Sequence, residues 1–487
     1  MSTIIDKTEH RTIDYVPRSE RHGRLVDQST IWFAGSGEVL SFAAGIIGIT
    51  IGLNLAWTLI GMAVGMALST GLVSAHASQG PHLGLPQMVQ SRPQFGRYGA
   101  LLIWTVAILL YWGFIVSCFN FFEVTAVQIV GVTSYWWILP AVVLSAILAI
   151  YGYDLLHASQ RYISYILVVL LVVFFVGTFV RHGFPYESLS LSGTFDAAKF
   201  LVVVSTSFAY ALTWAVFVSD YSRYLPEETS HRSLIAWTSG GVFGGCYFMA
   251  AVGSIAAVLF PAADMIPAVQ KAADRVLPGF GDVLIAFGTI ALISYIGMCI
   301  YGGALTLISA ADAFRPTVPT RRVRALVMIV FTATAAYVGH ALPQEFLSTG
   351  FAVALTVAGL FLAPWTAVNL VDYFVIRKAQ YSITEIFNPA GIYGRWNWRG
   401  LLSYAVGFTS MLPFAIIGNY QGVIASRIGV DISLFVGIPL AGLTYWLLSR
   451  KLDLTRERAI IAAEASLLDN DDRDEIALDE QPAPLAT

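Results

Sequence analysis

A long apolar segment that interrupts its own helical pattern constrains this chain most. The segment runs from Trp32 to Gly52 and reads WFAGSGEVLSFAAGIIGITIG. Glycines at positions 35 and 37 weaken a helix near its start. Glu38 places a carboxyl group at membrane depth, where an ionisable side chain is costly unless it is partnered. We therefore predict a broken transmembrane helix that lines a polar cavity.

The composition is typical of an all-α integral membrane protein. Of 487 residues, 56% are hydrophobic and only 12% are charged, and the mean hydropathy is +0.69. About 20 apolar residues are needed to cross a bilayer, and this rule predicts about twelve transmembrane helices. They lie approximately at 31–52, 55–76, 99–121, 135–152, 161–180, 199–218, 234–260, 281–310, 324–341, 349–375, 400–419 and 432–449.

Basic residues indicate how these helices are oriented, because Lys and Arg accumulate in cytoplasmic loops. With the N-terminus inside, the predicted cytoplasmic loops hold 13 Lys and Arg and the external loops hold 5. We predict a multi-pass protein of the cell membrane, inner or plasma, with both termini cytoplasmic. The predicted domains are a cytoplasmic tail at 1–30, a transmembrane domain at 31–450 and a partly disordered cytoplasmic tail at 451–487, acidic around Asp469 to Asp474.

Several classes of function find no support in the sequence. The three cysteines lie in apolar runs, so we expect neither a disulfide framework nor a metal cluster, and we expect no cofactor. A net charge of -3 without a basic patch outside the loops predicts no nucleic-acid partner. The predicted spans hold no nucleophile beside a base, which argues against an enzyme. The first thirty residues contain no apolar run, so we expect the first span to direct insertion.

Glu38 has two interpretations. Its carboxyl group either takes up a proton or binds substrate, or it fills the gap that unwound backbone leaves in its own helix. Ser36 lies at the same break, and hydroxyls in membrane helices also bond back to the preceding turn. We predict an ion-coupling role for Glu38 and a substrate-binding role for Ser36.

The third predicted span combines Trp112, Phe114 and Asn120. Aromatic rings in a cavity suit stacking on a flat heterocycle, and an amide offers a donor and an acceptor to the edge of such a ring. The alternative is that these side chains only pack the helix. We predict all three as substrate-binding residues.

The sixth and eighth spans supply the remaining candidates. Trp214 is too deep for a simple interfacial belt and is predicted to contact substrate. Ser294 is the one hydroxyl well placed at mid-depth in the eighth span, for substrate or for an ion. Sodium needs several oxygen ligands, and the eighth span offers only this one hydroxyl at mid-depth. A proton bound by Glu38 is therefore favoured over sodium as the coupling ion. Asp220 and Arg223, three residues apart, predict a structural pair or a contact with a neighbouring loop.

Six stretches resemble one family, the nucleobase:cation symporter-1 family of the purine and cytosine permease type. They extend over nearly the whole membrane part of the chain. They are YVPRSERHGR before the first span, AAGIIG at its end, GLPQMVQSRPQFGRYGA after the second, AIYGYDLLHASQRY before the fifth, WAVFVSDYSRYLP in the sixth and APWTAVNLVDYFVIRK in the tenth.

The resemblance implies ten core helices in two inverted five-helix repeats, a LeuT-like arrangement, with two helices appended. The first and sixth helices are then discontinuous, and substrate binds between them and the third and eighth. By position, Trp214 matches the family's stacking tryptophan. In the third helix the family commonly has an aromatic and, four residues on, a Gln or Asn. Here Val116 stands four residues after Trp112, so the resemblance does not identify the specific substrate.

We thus expect a symporter that imports a small heterocycle by alternating access, driven by a proton or sodium gradient. Cytosine or a purine is the default substrate, and allantoin, hydantoin, uracil or a vitamin precursor is the alternative. A channel or membrane sensor that uses the same cavity is the competing class. The expected partners are the heterocycle, the coupling cation and the lipid bilayer, whereas nothing in the sequence indicates the oligomeric state.

Overall fold

The computed structural model describes residues 9–132, 135–181, 183–192, 195–315, 320–342 and 345–468. The predicted acidic stretch from Asp469 to Asp474 lies outside these ranges. The first half of the described chain forms α1 (Asp27–Ser36), α2 (Ser41–Thr50), α3 (Leu55–Ala77), α4 (Gln79–Leu83), α5 (Arg92–Phe95), α6 (Ala100–Val130), α7 (Ile138–Tyr151), α8 (Tyr153–Val180) and α9 (Ala197–Leu212).

The second half is also helical, apart from the two-stranded hairpin of β1 (Ile416–Ile417) and β2 (Tyr420–Gln421). Its helices are α10 (His231–Leu259), α11 (Met265–Asp274), α12 (Phe280–Phe314), α13 (Arg321–Ala341), α14 (Glu345–Val371), α15 (Ile383–Phe387), α16 (Trp398–Met411), α17 (Ala425–Ile428), α18 (Ser433–Ser449) and α19 (Thr455–Leu468).

The all-α membrane fold is confirmed. In the described chain, eight helices are long and apolar enough to cross a bilayer, and α1 and α2 together form a ninth span that bends by 57°. The shorter apolar helices α7 and α18, together with α16, account for the other predicted spans. Each of the twelve predicted segments therefore coincides with a helix.

Several predicted boundaries differ from the observed ones; the third helix, for example, ends at Val130 rather than 121. The fifth helix starts at Tyr153 rather than 161, because Gly152 at φ +80° separates it from α7 and lets the next helix begin at once. The eleventh ends at Met411 rather than 419, and a short 3-10 turn that contains Pro413 follows it. In the sixth, the α-helix stops at Leu212 and a 3-10 turn continues to Val216.

The packing of the helices places the bent span in the middle of the molecule. Helix α9 lies along α3, and α10 packs against both α1 and α2. Helix α12 packs against α6, α7 and α8. Helices α16 and α18 pack on each other and on α14, as an appended pair should.

Both described terminal segments lie on one face of the bundle, which we call the tail side. Glu9 binds Arg223, at the end of the sixth span, with a nitrogen to oxygen distance of 2.8 Å. Glu457 of α19 binds Arg377, at the end of the tenth span, at 3.0 Å. The tail side is therefore held together by buried ion pairs between the terminal segments and the span ends.

The segment that joins α3 to α6 also lies on the tail side, and we call residues 78–99 the connector. All of its residues except His82 and Tyr98 are buried. One backbone N–H and two side chains of the connector bind aspartates at the ends of three spans. The Gln87 backbone N–H binds Asp220 at 2.7 Å, the Arg92 side chain binds Asp312 at 2.7 Å and the Gln94 side chain binds Asp372 at 2.8 Å. The connector thus ties the sixth, eighth and tenth spans together.

Candidate functional site

The break in the first span occupies residues 37–40, between α1 and α2. Gly37 leaves helical geometry at φ -96° and ψ 39°, and a side chain there would meet the Phe33 carbonyl oxygen at 2.5 Å. The Ser41 hydroxyl donates to the Ser36 carbonyl at 2.7 Å, which satisfies one of the carbonyls that the end of α1 leaves open. The predicted break is therefore present and is closed by its own polar groups.

Glu38 lies inside this break and is only 1% exposed. Its carboxyl group accepts a hydrogen bond from the Leu40 backbone N–H and lies 3.3 Å from the hydroxyls of Ser41 and of Tyr210 in α9. All three groups are neutral. Within the described chain, no Lys, Arg or His nitrogen lies within ion-pair distance of this carboxyl group. Its charge therefore has no counter-ion among the described residues.

Ser36 is buried at the break, where the sequence predicted it, but its hydroxyl is occupied. It donates to the Trp32 carbonyl at 2.6 Å and approaches the Val242 carbonyl of α10 at 3.1 Å. A Cβ atom on Gly245 would lie 2.3 Å from the Ser36 hydroxyl oxygen. Ser36 therefore fastens the end of α1 to α10 in this conformation.

Trp214 belongs to the other broken span and contacts Tyr210, the residue of α9 that approaches Glu38. It lies in the 3-10 turn Thr213–Val216, and Phe217 then leaves helical geometry at φ -139°. The indole ring is buried, 4.9 Å edge-on from Tyr210 and 6.1 Å from Tyr295 of α12. Its Nε1–H has no hydrogen-bond partner among the described residues. A buried N–H without an acceptor is expensive unless a ligand supplies one.

Glu38, Tyr210, Trp214 and Tyr295 thus form one continuous group, which we call the aromatic cluster. It joins the break of the first span to the sixth and eighth spans. Sequence reasoning named Glu38 and Trp214 but gave Tyr210 and Tyr295 no role. The four-residue spacing from Tyr210 to Trp214 places both on one helical face, and this spacing was the signal available for Tyr210.

Two of the three candidates of α6, Trp112 and Asn120, make their hydrogen bonds elsewhere. Trp112 is half-buried and donates from Nε1 to the Thr334 hydroxyl of α13 at 3.3 Å. Phe114 is also half-buried and packs against the apolar core. Asn120 donates to the carbonyl oxygens of Gly339 at 3.2 Å and Leu342 at 3.3 Å. It therefore satisfies the end of α13, and the structure does not bring it to the aromatic cluster.

Tyr111 of α6 reaches the sixth span. Its hydroxyl donates to the Val216 carbonyl at 3.0 Å, and its ring lies 5.4 Å from Phe217. Tyr111 therefore contacts the broken part of the sixth span, on the face of α6 next to that of Trp112. Sequence reasoning missed it, because the neighbouring tryptophan carried the stronger aromatic signal.

Ser294 is buried in α12, and its hydroxyl lies 3.4 Å from the Ser159 hydroxyl of α8. This pair is formed with α8 rather than with Glu38. In the described chain, no group of three or more His, Cys, Asp or Glu side chains is arranged to hold a metal ion. The residues predicted for one site are thus divided between the aromatic cluster, the α6–α13 contact and the α8–α12 contact.

Comparisons with known proteins identify the family of this chain. The family model described as "Permease for cytosine/purines, uracil, thiamine, allantoin" matches residues 15–437. YxlA of Bacillus subtilis, provisionally named a purine-cytosine permease, is 29% identical over 91% of this chain and 96% of its own length. The purine-cytosine permease fcyB of Emericella nidulans is 23% identical over 90% of this chain and 87% of its own length.

A solved structure has the same fold. Mhp1, a nucleobase-cation-symport-1 family transporter in a closed conformation with bromovinylhydantoin bound, matches with a TM-score of 0.72. The match covers 91% of this chain and 95% of that chain, at 19% sequence identity. It supports the predicted core of two inverted five-helix repeats with two appended helices. From the family match and the fold together, this chain belongs to the nucleobase:cation symporter family of multi-pass membrane permeases.

Proposed function

We propose that this chain imports a planar nitrogenous heterocycle by proton symport, with cytosine or a purine as the default substrate. The observation that carries the proposal is the aromatic cluster, in which Tyr210 contacts both the carboxyl group of Glu38 and the ring of Trp214, whose indole N–H has no partner among the described residues. A flat ring stacks on Trp214 and Tyr295, and its carbonyl or ring nitrogen accepts from the indole. The names of the relatives support this substrate class, and uracil, allantoin, hydantoin or a vitamin precursor fits the same chemistry.

The surroundings of Glu38 support a proton as the coupling ion. A buried carboxylate without a counter-ion is costly, and a proton removes that cost without needing further ligands. Sodium needs several oxygen ligands at one point. Ser294 and Ser159, the hydroxyl pair between α8 and α12, lie apart from the bonded partners of Glu38. Glu38 is then protonated when substrate is bound and releases the proton as substrate leaves.

We also propose that the tail side faces the cytoplasm of a cell or plasma membrane. The loops assigned to that side hold 13 Lys and Arg against 5 on the opposite side, as expected for cytoplasmic loops. Both termini are then cytoplasmic. The buried side chains of the aromatic cluster belong to a conformation in which the site is closed, and import requires it to open to each side in turn.

Uptake by purified protein in proteoliposomes tests the proposal. Radiolabelled cytosine, hypoxanthine, uracil, allantoin and hydantoin are each supplied under an inward proton gradient, an inward sodium gradient or no gradient. We expect at least one to accumulate under the proton gradient, about tenfold per pH unit for one proton. Equilibration without accumulation under every gradient would instead identify a channel. Accumulation driven by sodium alone would refute proton coupling.

A further inference from the structure

A second buried carboxyl group belongs to the other broken span. Asp220 lies in the 3-10 turn Val218–Tyr221, directly beyond the break at Phe217, and is only 2% exposed. Its Oδ1 accepts the backbone N–H of Gln87 in the connector at 2.7 Å. No Lys, Arg or His nitrogen of the described chain lies within ion-pair distance of it. Asp220 therefore resembles Glu38 in being buried, unpaired and next to a helix break.

The natural counter-ion of Asp220 is engaged elsewhere. Arg223, three residues on, binds Glu9 at 2.8 Å, the Tyr301 hydroxyl at 2.9 Å and the Thr12 carbonyl at 2.7 Å. Its charge is thus balanced by Glu9. The predicted contact of Asp220 with a neighbouring loop is present, whereas the alternative pair with Arg223 is not formed.

Asp372 provides an internal comparison, because it also precedes a tyrosine at the end of a broken or distorted span. It is fully buried, yet it pairs with Arg377. It also accepts the hydroxyls of Tyr381 at 2.9 Å and Tyr445 at 2.8 Å and the amide of Gln94 at 2.8 Å. Asp372 is therefore a fully satisfied structural anion, and Asp220 is not.

The second oxygen of Asp220 has no hydrogen-bond donor among the described residues. A Cβ atom built on Gly302 of α12 would lie 3.1 Å from Asp220 Oδ2 and 2.9 Å from the Tyr111 hydroxyl. The Tyr111 hydroxyl donates to Val216 instead. Oδ2 thus lies between the sixth span and α12, on the tail side of the aromatic cluster, where a proton can be held.

We propose that Asp220 is a second coupling carboxyl group, which holds the transported proton on the tail side. The inference rests on the proposed proton symport. When Asp220 is loaded, the O–H bond at Glu38 breaks and an O–H bond forms at Asp220 Oδ2, and the same proton passes to cytoplasmic water when the tail side opens. Glu38 and Asp220 then serve the two sides of the substrate site, one in each broken span.

Loading also acts on the connector. The bond from the Gln87 N–H to a carboxylate is charge-assisted and about twice as strong as one to a neutral acceptor. Protonation of Asp220 therefore weakens the attachment of the connector to the sixth span. Because the connector also holds the eighth and tenth spans, its release favours opening of the tail side only when the proton has arrived.

None of the other ionisable groups around Asp220 in the described chain lies within ion-pair distance of it. Arg223 pairs with Glu9, which Arg324 also approaches at 3.8 Å, and the remaining neighbours are phenols and an imidazole. These groups are Tyr221 and Arg223 on its own segment, Glu9 of the tail, Tyr111 of α6, Tyr301 of α12 and His76 of α3, which contacts the side chain of Gln87 at 3.4 Å.

Asp220→Asn tests the inference, because the amide oxygen still accepts from Gln87 while the proton site is lost. In proteoliposomes we expect substrate binding and exchange within about twofold of wild type. Accumulation under a gradient of one pH unit should fall from about tenfold to equal concentrations, with no proton uptake. Asp154→Asn, at a side chain that is 73% exposed, is the matched control and should behave as wild type.

The outcomes separate the two proposals. If wild type accumulates substrate under a proton gradient and Asp220→Asn does so equally, Asp220 is not a coupling group while the symport stands. If a folded Asp220→Asn protein lost both exchange and accumulation, the inference would also be overturned. If wild type responds to no proton gradient, proton symport itself fails and Asp220 fails with it.

A labelling experiment on the wild-type protein covers the case in which the variant does not fold. Dicyclohexylcarbodiimide modifies protonated carboxyl groups in apolar surroundings, and peptide mass spectrometry locates the adduct. We expect modification of Asp220 and none of the ion-paired Asp372. Modification of Asp372 without Asp220 would overturn the inference.

Discussion

Gly245→Ala tests how the break of the first span is held. Gly245 lies in α10 where that helix crosses the end of α1, and a Cβ atom there would lie 2.3 Å from both the Phe33 carbonyl oxygen and the Ser36 hydroxyl. An ordinary contact needs 3.4 Å or more, so the two helices must separate by about 1 Å. Backbone cannot rotate away as a long side chain can.

The expected cost follows from overpacking, which amounts to about 1–3 kcal/mol in a closely packed core. The matched control is Gly240→Ala in the same helix, where a Cβ atom meets nothing within 4 Å. That change should stabilise by up to about 1 kcal/mol, because alanine favours a helix over glycine. The two variants should therefore shift stability in opposite directions.

The assay is the midpoint of thermal unfolding in detergent, measured for wild type and both variants, followed by uptake in proteoliposomes. Gly245→Ala should melt lower and lose uptake, because Ser36 and Glu38 no longer keep their positions at the break. Equal melting and uptake of the two variants would refute the close packing of α10 against α1.

Trp214→Phe should weaken substrate binding by about two- to tenfold, the worth of one hydrogen bond, because the indole N–H is lost; isothermal titration measures the affinity, and thermal unfolding in detergent checks that the variant is folded. Tyr111→Phe should lower the uptake rate, because it frees the carbonyl of the sixth-span turn, whereas Trp112→Phe should leave the KM of uptake within about twofold of wild type. If Trp112→Phe impaired uptake more than Tyr111→Phe, the assigned faces of α6 would be contradicted. Glu464→Ala removes an acceptor of four hydrogen bonds from residues 382–384 and should cost about 1.5–3 kcal/mol, which limited proteolysis would detect as early cleavage of α19.

The broken first span could be predicted because its determinants are local. Glycines and one carboxyl group within a few residues weaken a helix wherever it lies, and the 57° bend agrees. The break in the sixth span has no glycine at its centre, and only the family resemblance predicted it. Its 3-10 turn at Thr213–Val216 is held from outside, for example by the Tyr111 hydroxyl on the Val216 carbonyl at 3.0 Å.

The direction in which each side chain points was less predictable than the positions of the helices. Hydropathy places Trp112 in a membrane helix but cannot say which neighbour it faces, since lipid and protein are both apolar. The structure turns Trp112 toward α13 and Tyr111 toward the sixth span. Likewise, the three-residue spacing of Asp220 and Arg223 permits an ion pair between them. In the structure Arg223 pairs with Glu9 instead, and Glu9 is too far away along the chain for a local pattern to predict this pair.

The central claim is that Glu38 couples a proton to substrate entry. The most direct measurement is proton uptake per substrate molecule in proteoliposomes containing wild type or Glu38→Gln, in which the amide oxygen still accepts from the Leu40 N–H. We predict about one proton per substrate for wild type. For Glu38→Gln we predict substrate exchange without proton uptake or accumulation. Undiminished proton uptake and accumulation by Glu38→Gln would contradict the mechanism.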